Sequence, residues 1–181
     1  MLLNSINLSL LFAVGLATAA RNGSYTVPNL GKRKQEILNN GGGVWDLAIA
    51  MLETEDLTTN YPYGDNKSGD STNFGIFKQN WFMLRHSTSQ FNGQSASDVS
   101  NGAVLNRDLK ADIKARQESQ NFYGADKWFG GHRNGETGLN DYQTSDINDY
   151  KNGVNWIHDQ LASDKKYLSD DTRFWVDVTP I

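Results

Sequence analysis

The segment that most constrains this chain is Val44–Glu53, VWDLAIAMLE, which is apolar nearly all round and ends in a carboxylic acid. A helix with no polar face has nothing to offer water, so it must run through the middle of a fold with other elements packed round it. Directly beyond it, residues 58–72 are dense in Thr, Asn, Gly, Ser and Asp, the chemistry of turns with room for a small β-hairpin. Other helical signals flank this pair. Residues 32–39 form a short helix stopped by Asn39-Asn40-Gly41. Residues 74–85 are a further apolar-rich segment read as helical. Residues 101–119 carry Val104, Leu105, Leu109 and Ile113 at helical spacing, with charge on the other face. Ser145 can cap a helix whose stripe is Ile147, Tyr150, Val154, Ile157 and Leu161. The expectation is a mostly helical α+β domain with a polar lobe inserted after its central helix.

The remaining composition narrows the function classes. The chain has 181 residues, 21% charged and 11% aromatic, which suits one folded domain rather than a disordered segment. No period repeats and no linker divides it, so a single domain over residues 20–181 is expected. A formal charge of −4 argues against nucleic-acid binding by phosphate neutralisation. With no cysteine, and with His86, His132 and His158 at no ligand spacing, no metal or other cofactor is expected. GxSxG, GxGxxG and Walker-type loops are missing, so serine-hydrolase and nucleotide readings have no anchor. Residues 8–17 (LSLLFAVGLA) followed by Ala17-Thr18-Ala19 read as a secretory signal peptide over residues 1–19, although its leading segment lacks Lys and Arg. The apolar run is about half of the ~20 residues a membrane span needs, so a secreted protein, not a membrane-bound one, is expected.

Two acids near the central helix could carry chemistry. Glu53 ends an apolar helix, where burial, the negative end of the helix dipole and neighbouring Glu55 and Asp56 would all oppose ionisation. A carboxyl kept protonated is what a general acid requires. Asp65, in Tyr63-Gly64-Asp65-Asn66-Lys67, lies among polar groups and a lysine that would keep it ionised. Either acid alone is commonplace: a solvated helix end, or an ordinary turn aspartate. Together, one protonated and one ionised carboxyl are the signature of glycoside hydrolysis.

The surrounding aromatics suit a sugar cleft. Tyr61, Tyr63 and Trp81 are read as rings for stacking against sugars, and Trp45, Phe74 and Phe77 as core. Asn60, Asn66, Asn73, Gln79 and Asn80 supply hydroxyl-binding amides. Residues 128–133, WFGGHR, are read as a loop that either forms the opposite cleft wall or serves only as a turn.

Residues 73–80, NFGIFKQN, resemble the D-Y-G-I-F-Q-I-N element of animal-type lysozymes, which follows a catalytic Glu at the end of a buried helix. The wider run over residues 50–81 (AMLETEDLTTNYPYGDNKSGDSTNFGIFKQNW) is similar to the β-1,4-mannanases of glycoside hydrolase family 134. That resemblance implies a lysozyme-like α+β fold, an inverting mechanism and a β-mannan substrate. It puts the general acid on Glu53 and the general base on Asp65. Their carboxyls would lie ~6.5–9.5 Å apart, with room for a water between them. The resemblance puts the motif's sugar-binding Asn on Asn80; with the residues read above, the expected substrate-binding set is Tyr61, Tyr63, Asn73, Lys78, Asn80, Trp81 and Trp128.

Two departures from lysozyme fit this reading. Asn73 stands where the lysozyme element has its second catalytic Asp, and the lysozyme disulfides are missing. Lys78 replaces the motif's Gln. The expectation is therefore a secreted, monomeric endo-β-1,4-mannanase. Its rivals are a lysozyme-like hydrolase of peptidoglycan or chitin, and a non-catalytic secreted carbohydrate-binding or effector protein.

Overall fold

The computed structural model describes residues 21–179. The signal-peptide reading of residues 1–19 lies outside them. The element order is β1 (Asn22–Thr26), α1 (Leu30–Asn39), α2 (Val44–Glu53), β2 (Asn73–Phe74), β3 (Gln79–Asn80), α3 (Trp81–Ser87), α4 (Leu109–Tyr123), α5 (Ala125–Asn140), α6 (Ser145–Ser163) and β4 (Thr172–Val176). Short 3₁₀ segments at Tyr63–Asn66, Gly69–Ser71, Ala96–Asn106 and Lys165–Leu168 link them. The fold is the expected one, mostly helical with two small antiparallel sheets.

As its composition requires, α2 is the central helix. Leu47 through Met51 are wholly buried, and α2 packs against α6, whose stripe Ile147, Tyr150, Val154, Ile157 and Leu161 is buried in full. A second cluster of Phe74, Trp81, Leu84, Phe91, Leu105 and Ala115 fills the space between the polar lobe, α3 and α4.

Several elements differ from expectation. Residues 74–85 are not one helix: β2 and β3 form a tight hairpin, and α3 begins only at Trp81. The reversal needs Gly75, at φ +73°, where a Cβ would lie 1.9 Å from Asp112 Oδ1. Asn80 then starts α3 by accepting from the Met83 N–H, a cap that fixes the helix boundary. The 101–119 pattern splits into the Ala96–Asn106 segment and α4, with Asp108 accepting from the Ala111 N–H at the break.

The charged face read on that segment is partly internal, because Asp112 and Arg116 are buried. Arg116 pairs with buried Asp46 at 2.6 Å. Residues 128–133 are helix, not loop, and lie within α5. Gly131 serves close packing there rather than a turn, since a Cβ would lie 2.5 Å from Met83 Sδ.

β1 and β4 pair in register Asn22↔Val176 through Thr26↔Thr172, joining the two ends of the described chain. Buried Lys34 on α1 fastens the same region by donating to the carbonyls of Tyr167, Asp170 and Thr172.

Candidate active site

Both ends of α2 are tied down, and this sets where Glu53 emerges. At the start, Asp46 accepts from the Gly43 N–H at 2.8 Å. At the finish, the Arg173 guanidinium donates to the carbonyls of Met51 (2.7 Å) and Thr54 (3.1 Å). A cation there satisfies otherwise unpaired carbonyls and opposes the negative end of the helix dipole. Glu55 turns away from Glu53 toward Tyr25 and Arg173, and Asp56 toward Thr58.

Glu53 is 15% exposed and meets two hydrogen-bond partners on one oxygen. The Tyr150 hydroxyl donates to Oε1 at 2.5 Å, and His132 Nε2 lies 3.1 Å from the same atom. Burial pushes the Glu53 carboxyl up, but bonding to His132 and Tyr150 and the nearby Lys78 charge outweigh it and hold the group below its ordinary value. The expected upward shift at Glu53 is therefore not what the site produces in its free state. Burial, and then Glu53, push the Tyr150 phenol well above its ordinary range, so it stays a donor.

Asp65 comes from the inserted lobe, on three successive residues in left-handed backbone: Gly64 (φ +64°), Asp65 (φ +51°) and Asn66 (φ +61°). Two of these carry side chains, so the turn holds strain of the kind that clusters at functional sites. Its carboxylate accepts from Asn73 Nδ2 at 3.2 Å and pairs with Lys78 Nζ at 3.4 Å, both through Oδ2. Lys78, itself left-handed at φ +48°, also lies over the Tyr61 ring at 4.9 Å. The hairpin that presents Asn73 and Lys78 is anchored from below. Asp112 accepts from the Ile76 N–H at 2.7 Å and from the Gln79 amide at 2.8 Å.

A cleft of about 560 Å³ runs between the lobe and the helices. It brings Glu53, Asp65, Asn73, Lys78 and Asn80 onto one surface. The facing wall is His132 through Glu136 of α5, which breaks at Asn134 and Gly135, so of residues 128–133 only His132 and Arg133 contribute cleft wall, and they do so from a helix.

The remaining expected contacts lie off the cleft lining. Trp81 and Trp128 are 0% and 1% exposed and belong to the core. Trp81 donates to the Ser95 carbonyl, and Trp128 stacks on His132 at 4.8 Å. Tyr61 donates to the Gly75 carbonyl and braces the hairpin. Tyr63 is half exposed and packs edge-on against Phe74. Trp45, read as core, is 40% exposed and stacks on His158. Asn80 lines the cleft, but its amide is spent on the α3 cap and the Gly131 carbonyl.

Sequence reasoning passed over Tyr150, Phe82, Val176 and Val178, all of which line the cleft. For Tyr150 a signal existed. A tyrosine inside a buried stripe needs a partner for its hydroxyl, and that partner is Glu53.

A buried helix delivering one carboxyl into a polar cleft, opposite a second carboxylate on an inserted lobe, is the arrangement of a glycoside hydrolase. The chain belongs to glycosyl hydrolase family 134, whose pattern matches residues 31–178. Comparison with curated proteins gives no match. A polysaccharide or oligosaccharide is therefore its substrate class.

Proposed function

We propose that this glycoside hydrolase is a secreted, monomeric endo-β-1,4-mannanase that inverts configuration at the cleaved bond. The observation that carries the reading is the contrast between its two carboxyl groups. Glu53 sits nearly enclosed with two hydrogen-bond partners on one oxygen, while Asp65 is set among Lys78 and Asn73 on the opposite side of one cleft. In the cleavage step Glu53 acts from its protonated form, the minor one in the free cleft, and gives that proton to the glycosidic oxygen as the C–O bond breaks. Asp65 takes a proton from the water that attacks the anomeric carbon, and that water supplies the new hydroxyl.

Asn73 supports inversion, since an amide can form neither a covalent sugar adduct nor an anionic stabiliser. The cleft mixes Lys67, Lys78 and Arg133 with Asp70 and Glu136, which suits a neutral glycan better than a strongly anionic one. Apolar Leu52, Phe82, Val176 and Val178 supply surface for the C–H faces of sugar rings.

Incubation with mannan, chitin and peptidoglycan, followed by product analysis, tests the substrate. Release of manno-oligosaccharides alone is expected. Proton NMR of fresh product is expected to show the α-anomer first, whereas β-anomer first removes Asp65 from the water-activating role.

A further inference from the structure

The polar contacts of Glu53 are one-sided. Tyr150 and His132 both meet Oε1, whereas Oε2 has no hydrogen-bond partner among the described residues and is not among their buried unsatisfied atoms. A carboxyl oxygen offers two lone-pair sites in its plane, so two donors leave no room on Oε1 for a proton. From this geometry, and resting on the reading of Glu53 as general acid, we infer that His132 is a positioning residue that confines the catalytic proton to Oε2.

The surroundings of His132 fit that task. Its ring is 5% exposed, stacks on Trp128 at an interplanar angle of 9°, and stands 5.5 Å from the Tyr150 ring. Such packing removes rotational freedom and keeps Nε2 aimed at Glu53. Hydrogen placement follows from the ionised carboxyl that these contacts favour: it can only accept at Oε1, so His132 carries hydrogen on Nε2. Tyr150 does the same from α6. Without the His132 donor, the Glu53 proton could settle on Oε1 and point into the protein.

The titratable groups facing Glu53 are His132 on α5, Tyr150 on α6, and Lys78, Tyr61 and Asp65 from the hairpin and lobe. Of these, His132, Tyr150 and Lys78 favour the ionised carboxyl, and His132 contributes most. Removing it therefore raises the proton affinity of Glu53. Because the acid works only when protonated, the alkaline limb of the pH–rate profile moves to higher pH.

The test compares His132→Phe, which keeps the stack on Trp128, with His132→Gln, whose amide can replace the Nε2–H donor. Mannan and an aryl β-manno-oligoside with a good leaving group are the two substrates, and circular dichroism checks folding. His132→Phe is expected to lose about 10- to 100-fold in kcat on mannan, the worth of a hydrogen bond to a charged group. It should lose far less on the aryl substrate, which needs little protonation, and its alkaline limb should move up. His132→Gln is expected to recover most of the mannan rate. Equal losses on both substrates with an unmoved limb, or Gln no better than Phe, overturn the inference. Should His132→Phe fail to fold, His132→Leu, which equally lacks a donor, takes its place in the same comparison with His132→Gln. If Glu53→Gln cleaves mannan normally, the acid assignment itself falls. If Glu53→Gln is inactive while His132→Phe matches wild type, only the role of His132 falls.

Discussion

Asn73 donates from Nδ2 to Oδ2 of Asp65 at 3.2 Å, and this contact sits where a lysozyme-type element would carry a second carboxylate. The amide orients the carboxylate without competing for a proton, and Lys78 Nζ pairs with the same oxygen at 3.4 Å. Restoring the carboxylate would undo this. In Asn73→Asp, two carboxyl groups at hydrogen-bond distance cannot both ionise readily, so one holds a proton into the neutral range. The rate on mannan is expected to fall by about 10²-fold, the lower end of what a general base supplies. The acidic limb of the pH–rate profile should move to higher pH, and the product should still appear first as the α-anomer. A gain of β-anomer in this variant would show the position to be catalytically interchangeable, contrary to the proposed inversion.

The two acids are separable by substrate. Glu53→Gln keeps the shape and accepts from His132 and Tyr150 but cannot donate the proton, so mannan cleavage is expected to fall about 10²–10⁴-fold. An aryl substrate with a good leaving group should recover much of that loss. Asp65→Asn should be poor on both substrates, because water activation does not depend on the leaving group. Azide should give no adduct of retained configuration, since single displacement leaves no covalent intermediate to intercept. Glu55→Gln is the control. Its side chain is held by Tyr25 and Arg173, away from the cleft, and substantial activity should remain. Inactive Glu55→Gln beside active Glu53→Gln would mean that the wrong glutamate had been chosen.

What could be read from the chain followed the strength of local signals. The α2 pattern is unambiguous because an all-round apolar helix has one destination, and the turn-rich lobe could only follow it. The stripe of α6 was legible for the same reason. The β1–β4 pairing was not, since residues 22–26 are nearly all exposed and their partner lies at the far end of the chain. Residues 128–133 misled because paired glycines usually mark turns, whereas Gly131 is small to admit Met83. Trp81 and Trp128 misled because an aromatic beside polar residues looks the same in sequence whether it faces a sugar or the core. The ionisation of Glu53 could not be foreseen either. It depends on His132 and Tyr150, which arrive 79 and 97 positions later on separate helices.

Arg116 and Asp46 form an enclosed ion pair, 5% and 3% exposed, that joins α4 to the start of the central helix. Removing one member leaves the other charged and buried. Arg116→Met is expected to destabilise the fold by about 3–5 kcal/mol, as for other broken buried pairs. In a domain of this size each kcal/mol is worth roughly 2–4 °C, so the melting temperature should drop by about 6–20 °C. Asp46→Asn combined with Arg116→Met should recover part of that loss, because no orphaned charge remains. Additive losses in the double variant would show the two charges to be energetically uncoupled.

Asp112 gives stability a pH dependence that can be isolated. Burial pushes its carboxyl up from 3.8 to about 8, against the lowering effect of bonds from Gln79 and the Ile76 N–H. Between those two values the folded state keeps the Asp112 proton while the unfolded chain has released it, so the unfolded state binds fewer protons. Stability from this group is therefore complete below about pH 4, falls as pH rises, and levels off above about pH 8. At about 1.4 kcal/mol per pH decade, the full loss is on the order of 5 kcal/mol. Asp70, Glu118 and Asp146 are held below their ordinary values, so their contributions vanish in acid instead. They cancel when wild type is compared with Asp112→Asn, which removes the titration and keeps the shape. Its carbonyl can still accept from the Ile76 N–H, and the Gln79 amide can turn to accept from the new amide. Thermal unfolding of both proteins from pH 4 to pH 9 is the measurement. The variant is expected to gain on wild type steadily as pH rises to about 8 and then run parallel to it. Because Asp112 anchors the hairpin that carries Asn73 and Lys78, protection of the Ile76 amide, corrected for the intrinsic rise of exchange with pH, should fall over the same range in wild type alone. Parallel melting curves throughout would mean that Asp112 is ionised in the fold at neutral pH, with its donors outweighing its burial.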